Sequence, residues 1–214
     1  MPDLGADLIR IYCVSGTTIA ELAPVVAAPG TGPRHGAFWP KTGIPKYYYL
    51  VGETANSVLV YEVAYTSGGI ALTLVQTIST LPTPTGTTPP STTTAAPWTT
   101  PSAAEIAISP DGKIIYVSNR NDKVFSDTTG THSVATYGTT DEGLLELLEI
   151  FDSRVTVPRH ITTDPKGKWF IAEGQASENM VVFKRDADGT VIEPPVSTLA
   201  VPGGPVCVTW SGRT

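Results

Sequence analysis

Three stretches of the chain run through the same order of apolar and polar positions. Pro33–Val63 reads PRHGAFWPKTGIPKYYYLVGETANSVLVYEV, Ala103–Phe125 reads AAEIAISPDGKIIYVSNRNDKVF, and Pro158–Asp186 reads PRHITTDPKGKWFIAEGQASENMVVFKRD. Each opens with a short alternating run, and then a turn bearing proline and glycine interrupts it (Pro110-Asp111-Gly112, Pro165-Lys166-Gly167). A β-branched and aromatic run follows, so the pattern predicts a strand, a hairpin and a second strand. A third apolar run comes after each hairpin (Val58–Val63, Ser133–Tyr137, Met180–Phe183), and then a fourth (Leu72–Ile78, Leu144–Ile150, Val191–Leu199). Units of four antiparallel strands recurring at about 50 residues predict the blades of a β-propeller. A plain sandwich or barrel would need the hairpins to match by coincidence. The one stretch that competes as a helix, Asp141–Phe151, is short and equally suits an outer strand.

Asp3–Tyr12 (DLGADLIRIY) matches Gly52–Tyr61 (GETANSVLVY), which predicts that the chain opens midway through a blade. Pro205–Trp210 (PVCVTW) matches a first strand alone. The expected fold is therefore all-β, a single incomplete propeller domain over residues 1–214, with three full blades and two partial ones. Within it, Ser79–Ala104 is dominated by Thr, Pro, Ser and Ala and holds no charged residue. Such a composition buries too little apolar surface to offset its ordering entropy, and a flexible insertion over 79–104 is expected, with hydroxyls that could accept O-linked sugar.

Composition narrows the function. A net charge of -6 and a pI near 5.0 leave no basic surface to track phosphates, which excludes nucleic acid as an expected partner. Nor does any run approach the ~18–20 apolar residues that cross a bilayer, so no membrane partner is expected. Met1 is followed by Pro2 and Asp3 instead of a basic and then apolar leader. That leaves the localisation open between cytoplasmic and, if a leader is encoded upstream, secreted. Cys13 and Cys207 lie near opposite ends and are expected to be free and buried.

The repeat places side chains as well as strands. The start of a first strand and the end of a second lie at the same end of a hairpin, because the turn is at the other. One column, five residues before the turn proline or its equivalent, reads His35, Glu105, His160 and Cys207. The other, four residues after a mid-strand aromatic, reads Glu53, Arg120 and Gly174, with Leu4 in the broken first blade. Arg34 and Arg159 precede members of the first column. The two columns predict a mouth ringed by Arg34, His35, Glu53, Glu105, Arg120, Arg159 and His160. Guanidiniums recognise carboxylate or phosphate, while Glu or His in that field can move protons. The plainer alternative has the arginines bridging blades and the histidines serving structure; Glu53 and Arg120, opposite charges in equivalent slots, best suit a binding pair. His132 falls outside the frame and is expected to be solvated. No metal-ligand spacing, phosphate-cradling glycine loop or GxSxG elbow is present, and neither metal nor cofactor is expected.

GPRH (Gly32–His35), AAEIAISPDGKIIYVSNR (Ala103–Arg120), PRHITTDPKGKWFIAEGQ (Pro158–Gln175) and the opening Pro2–Asp7 resemble the lactonase-type seven-bladed propeller family. The resemblance covers nearly the whole chain outside the Thr/Pro insertion and implies about four of seven blades. It also implies metal-independent chemistry on a small anionic substrate, either cyclisation of 3-carboxy-cis,cis-muconate, as in the fungal branch, or hydrolysis of 6-phosphogluconolactone. By that resemblance Arg34, Glu53 and Arg120 match the fungal cyclase site and are the expected catalytic residues; His35, Glu105, Arg159 and His160, placed at the mouth by the repeat, are expected to bind substrate. The histidine of that site would lie upstream of Met1. The insertion favours the cyclase branch, with the hydrolase and a non-catalytic binding propeller as alternatives. An open arc would also expose blade faces suited to self-association.

Overall fold

The computed structural model describes residues 1–82 and 100–211. Fifteen strands form four antiparallel sheets. The first holds β1 (Pro2–Asp3), β2 (Leu8–Ser15) and β3 (Thr18–Val26). The second runs β4 (Pro33–Trp39), β5 (Tyr47–Gly52), β6 (Ser57–Thr66), β7 (Gly69–Ser79). The third runs β8 (Ser102–Ile108), β9 (Ile114–Arg120), β10 (Ser133–Thr139), β11 (Leu145–Asp152). The fourth runs β12 (Pro158–Thr163), β13 (Trp169–Gly174), β14 (Asn179–Arg185), β15 (Val191–Ala200). Each of the last three sheets is a complete up-and-down blade in sequence order, and the first is a blade entered partway through, as its match to the later repeat predicts. Asp141–Phe151 resolves as turn and strand, not helix.

Sheets pack face to face, and each interface has its own core. Ile9 meets Tyr48, Leu50, Leu59 and Tyr61 between the first and second sheets. Tyr49, Val51, Val58 and Val60 meet Ile106, Ile115 and Tyr137 between the second and third. Tyr116, Val134 and Phe151 meet Ile161, Phe170, Val181 and Phe183 between the third and fourth. Strand β5 thus sends alternate residues to opposite neighbours, which explains why its sequence is an unbroken apolar run: both faces are covered.

Tyrosine hydroxyls tie successive blades together. Tyr49 on β5 donates to the carbonyl of Gly143 in the outer turn of the third sheet at 2.9 Å, and Tyr116 on β9 donates to Gly189 in the outer turn of the fourth at 2.5 Å. Trp39 adds a 2.6 Å bond from its indole nitrogen to the Gly112 carbonyl.

Three expectations need correction. Ser79 belongs to β7 and Ser102–Ala104 to β8, so the insertion is shorter than 79–104; residues 83–99, where its flexibility was expected, lie outside the described residues. Pro205–Trp210 joins no sheet, although its alternation suits a strand. Cys13 and Cys207 are free but exposed rather than buried. Among the described residues no helix is long and apolar enough to cross a membrane.

Candidate active site

The inner strands β4, β8 and β12 lie side by side. In each, the pairing with the second strand slips by one residue at its start. The slip falls between Pro33 and Gly36, between Ala103 and Ile106, and between Pro158 and His160. A bulge of this kind leaves a residue outside the ladder and re-aims its side chain. The residues it carries are Arg34 and His35, Ala104 and Glu105, and Arg159, which are the residues of the predicted mouth or their neighbours.

The loop before β4 is shaped to hold Arg34. Asp7 accepts the amides of Gly30 at 2.8 Å and Gly32 at 2.7 Å. Gly32 has φ +64, and a Cβ there would stand 2.4 Å from Thr54 Oγ1, so only glycine fits. Glu53, directly after β5, donates its amide to the Gly32 carbonyl at 2.8 Å and accepts the Ala103 amide at 3.1 Å. Backbone bonds to two blades therefore fix the carboxylate that follows.

That carboxylate sits between two arginines. Arg34 Nε lies 3.0 Å from Glu53 Oε2, and Arg120 Nη2 lies 2.7 Å from Oε1. Arg34 Nη1 also donates to the Ala104 carbonyl at 2.6 Å. Arg120 is buried, and its Nε has no hydrogen-bond partner among the described residues. Burial and then the charge of Arg120 pull the Arg34 pKa down, against support from Glu53 and Glu105, with Arg159 adding to the repulsion. The cluster is a desolvated cationic site only partly neutralised by its own carboxylates, an environment that favours an anion.

Beside it, His35 Nδ1 lies 2.8 Å from both oxygens of Glu105. Glu105 is buried, while the His35 side chain is 46% exposed. His160, next around the mouth, accepts the Val208 amide on Nδ1 at 3.5 Å, and burial lowers its pKa. Arg159 has no ion-pair partner within 4.0 Å among the described residues. The structure thus joins Arg34, Glu53 and Arg120 directly, joins His35 to Glu105, and leaves Arg159 and His160 without an ion-pair partner among the described residues.

The sequence frame slips in the fourth blade. Gly174 pairs with Pro158 as Gly52 pairs with Pro33, and Gln175 donates its amide to the Val157 carbonyl as Glu53 does to Gly32. Gln175, not Gly174, is the counterpart of Glu53 and Arg120. The aromatic used as a marker is Phe170 here, one position earlier than Tyr49 and Tyr116, which shifts the count. His132 also departs from expectation: half-buried, it accepts the Val157 amide on Nδ1 at 2.8 Å, and burial lowers its pKa.

The frame missed Glu173. This residue of β13 is 1% exposed, pairs in register with His160, and forms no hydrogen bond through either carboxylate oxygen among the described residues. Desolvation raises its pKa to about 7, opposed by the His160 amide and the charge of Arg159. Its signal was available as the single ionisable residue inside WFIAEG, a fully apolar second-strand pattern. No group of three or more His, Cys, Asp or Glu among the described residues could hold a metal ion.

Comparison with known proteins places this architecture. Residues 1–210 match the family described as lactonase, 7-bladed beta-propeller. The chain is 42% identical over 213 residues to a probable 6-phosphogluconolactonase of Arthroderma benhamiae, covering 98% of this chain and 50% of that protein. It is 30% identical over 206 residues to the 6-phosphogluconolactonase of Bacillus subtilis, covering 96% of this chain and 52% of that one. The solved structure of the periplasmic gluconolactonase of Pseudomonas aeruginosa superposes with a TM-score of 0.78 at 25% identity, over 96% of this chain and 51% of its own. This chain spans about half the length of the curated relatives it matches. A four-blade arc with this repeat, matched along nearly its whole length, belongs to the seven-bladed β-propeller lactonase family.

Proposed function

We propose that the chain carries the anion-binding side of a lactone-hydrolysing site of the 6-phosphogluconolactonase type. The observation that carries this reading is Glu53 clamped between Arg34 and Arg120, with a buried Arg120 Nε left to donate. Both guanidiniums are fixed before substrate arrives, so their charge faces the developing oxyanion without reorganising when water adds to a lactone carbonyl. Arg159, without an ion-pair partner among the described residues, is placed to take a phosphate in the bidentate manner guanidiniums favour. Glu53 positions the arginines. The names of the relatives above support hydrolysis over the cyclisation that the insertion had favoured, since those proteins are named as lactonases.

The test is hydrolysis of 6-phosphoglucono-δ-lactone above the spontaneous rate, measured alongside calorimetric binding of the product, 6-phosphogluconate. Arg159→Ala is expected to raise KM at least tenfold with kcat little changed, as loss of a phosphate contact does. Glu53→Gln is expected to lower kcat/KM by roughly 100-fold by loosening both arginines. A chain that neither hydrolyses the lactone nor binds 6-phosphogluconate overturns the proposal, and turnover of 3-carboxy-cis,cis-muconate alone replaces it with the cyclase reading.

A further inference from the structure

The pairing of His35 with Glu105 does more than hold two blades together. Glu105 is immobilised from three directions. Its amide donates to Ser118 Oγ at 3.1 Å, its Oε1 accepts the Ile106 amide at 3.1 Å, and both oxygens face His35 Nδ1 at 2.8 Å. A buried carboxylate can only accept, so it fixes the imidazole with its proton on Nδ1 and its lone pair on Nε2. Arg34 Nη1, which donates to the Ala104 carbonyl at 2.6 Å, also comes within 3.2 Å of the same Nδ1, but the two carboxylate oxygens at 2.8 Å are nearer and carry the opposite charge, which favours the proton on Nδ1. Among the described residues nothing bonds to Nε2, and the ring is half in solvent at the mouth. Arg34 therefore borders two functional groups at once, the Glu53 carboxylate at 3.0 Å and the imidazole at 3.2 Å, which puts a proton acceptor one guanidinium away from the anion site.

We propose that His35, oriented by Glu105, is the general base that activates water for lactone opening at this site. This rests on the hydrolase reading above. His35 Nε2 removes a proton from water as its oxygen bonds to the lactone carbonyl carbon, and the carbonyl electrons move onto an oxyanion facing Arg34 and Arg120. Collapse of that intermediate breaks the bond from the acyl carbon to the ring oxygen, and His35 returns its proton to the departing alkoxide. The products are a hydroxyl and a carboxylic acid, which ionises to solvent, so one lactone and one water account for every atom. Glu105 is a positioning residue, and its buried carboxylate also steadies the imidazolium that forms in between.

The experiment is a pH–rate profile of 6-phosphoglucono-δ-lactone hydrolysis for the wild type, His35→Gln, Glu105→Gln and His35→Ala, with 6-phosphogluconate binding measured for each. His35→Gln is expected to lose roughly 100-fold or more in kcat, keep product affinity within about threefold, and lose the acid limb, on which the wild-type rate falls as the imidazole takes its second proton. Glu105→Gln should retain that limb, with a smaller loss of kcat. Added imidazole should restore part of the His35→Ala rate, which repair of a structural defect would not do. If His35→Gln binds product normally and keeps both the wild-type kcat and the acid limb, His35 is not the base, although the hydrolase reading stands. A wild type that neither turns over lactone nor binds 6-phosphogluconate fails at the earlier step and takes this proposal with it.

Discussion

Glu173 shows how much one side chain can set at this mouth. With its pKa raised to about 7 against an unfolded value of 4.5, the folded chain holds a proton that the unfolded chain releases. Between those two pH values the native state binds more protons than the denatured one, so stability falls as pH rises through the window and is fully regained below it. Glu173→Gln should remove the slope: urea denaturation at pH 5 and pH 8 is expected to show the wild type losing about 1–2 kcal/mol more than the variant, with local water entry taking up the rest of the shift. A wild-type stability that changed no more than the variant's between pH 5 and 8 would mean that the carboxylate is already ionised in the folded chain throughout that window. The residue was invisible to a reading built on equivalent positions, because its counterparts Val51 and Ser118 are uncharged.

At the scale of the element, the hairpins and their order were legible because turn chemistry and strand periodicity are local. Ser109 donates to Asp111 at 2.5 Å across one such turn, and Asp164 accepts the Trp169 amide at 2.6 Å across another. What failed was whatever depends on a partner. The alternation of Pro205–Trp210 is the same whether or not a strand lies beside it, and the count to Gly174 drifted because an aromatic can occupy either of two adjacent positions. Arg34, Glu53 and Arg120 were found together, but the bond from His35 to Glu105 arises from bulges that the sequence does not mark. The loop into β4 offers a direct test. Gly30→Ala (φ +81, open space) should cost about 1 kcal/mol through backbone strain alone, whereas Gly32→Ala (φ +64) adds a collision with Thr54 and should cost about 2–3 kcal/mol. Urea midpoints give the difference, and only the second change is expected to weaken 6-phosphogluconate binding, because Arg34 stands two residues on.

Across the whole molecule, stability is distributed over interfaces that repeat. Tyr49→Phe and Tyr116→Phe each leave a buried glycine carbonyl without its donor and should each cost about 1–2 kcal/mol in chemical denaturation. The two bonds lie in separate interfaces, so the double variant is expected to add within about 0.5 kcal/mol. The candidate site is spread over the same blades: Arg34, His35 and Glu53 come from the second, Glu105 and Arg120 from the third, Arg159 and His160 from the fourth. Of these, five residues sit in or beside the one-residue slips of β4, β8 and β12. A residue carried by such a slip contributes little to the ladder or to the apolar interfaces, so its identity is less constrained by folding than that of a core residue. The propeller thereby keeps its architecture and its chemical vocabulary in separate sets of positions, and rewriting a few letters at the slips would address the same scaffold to a different anion without disturbing a single blade.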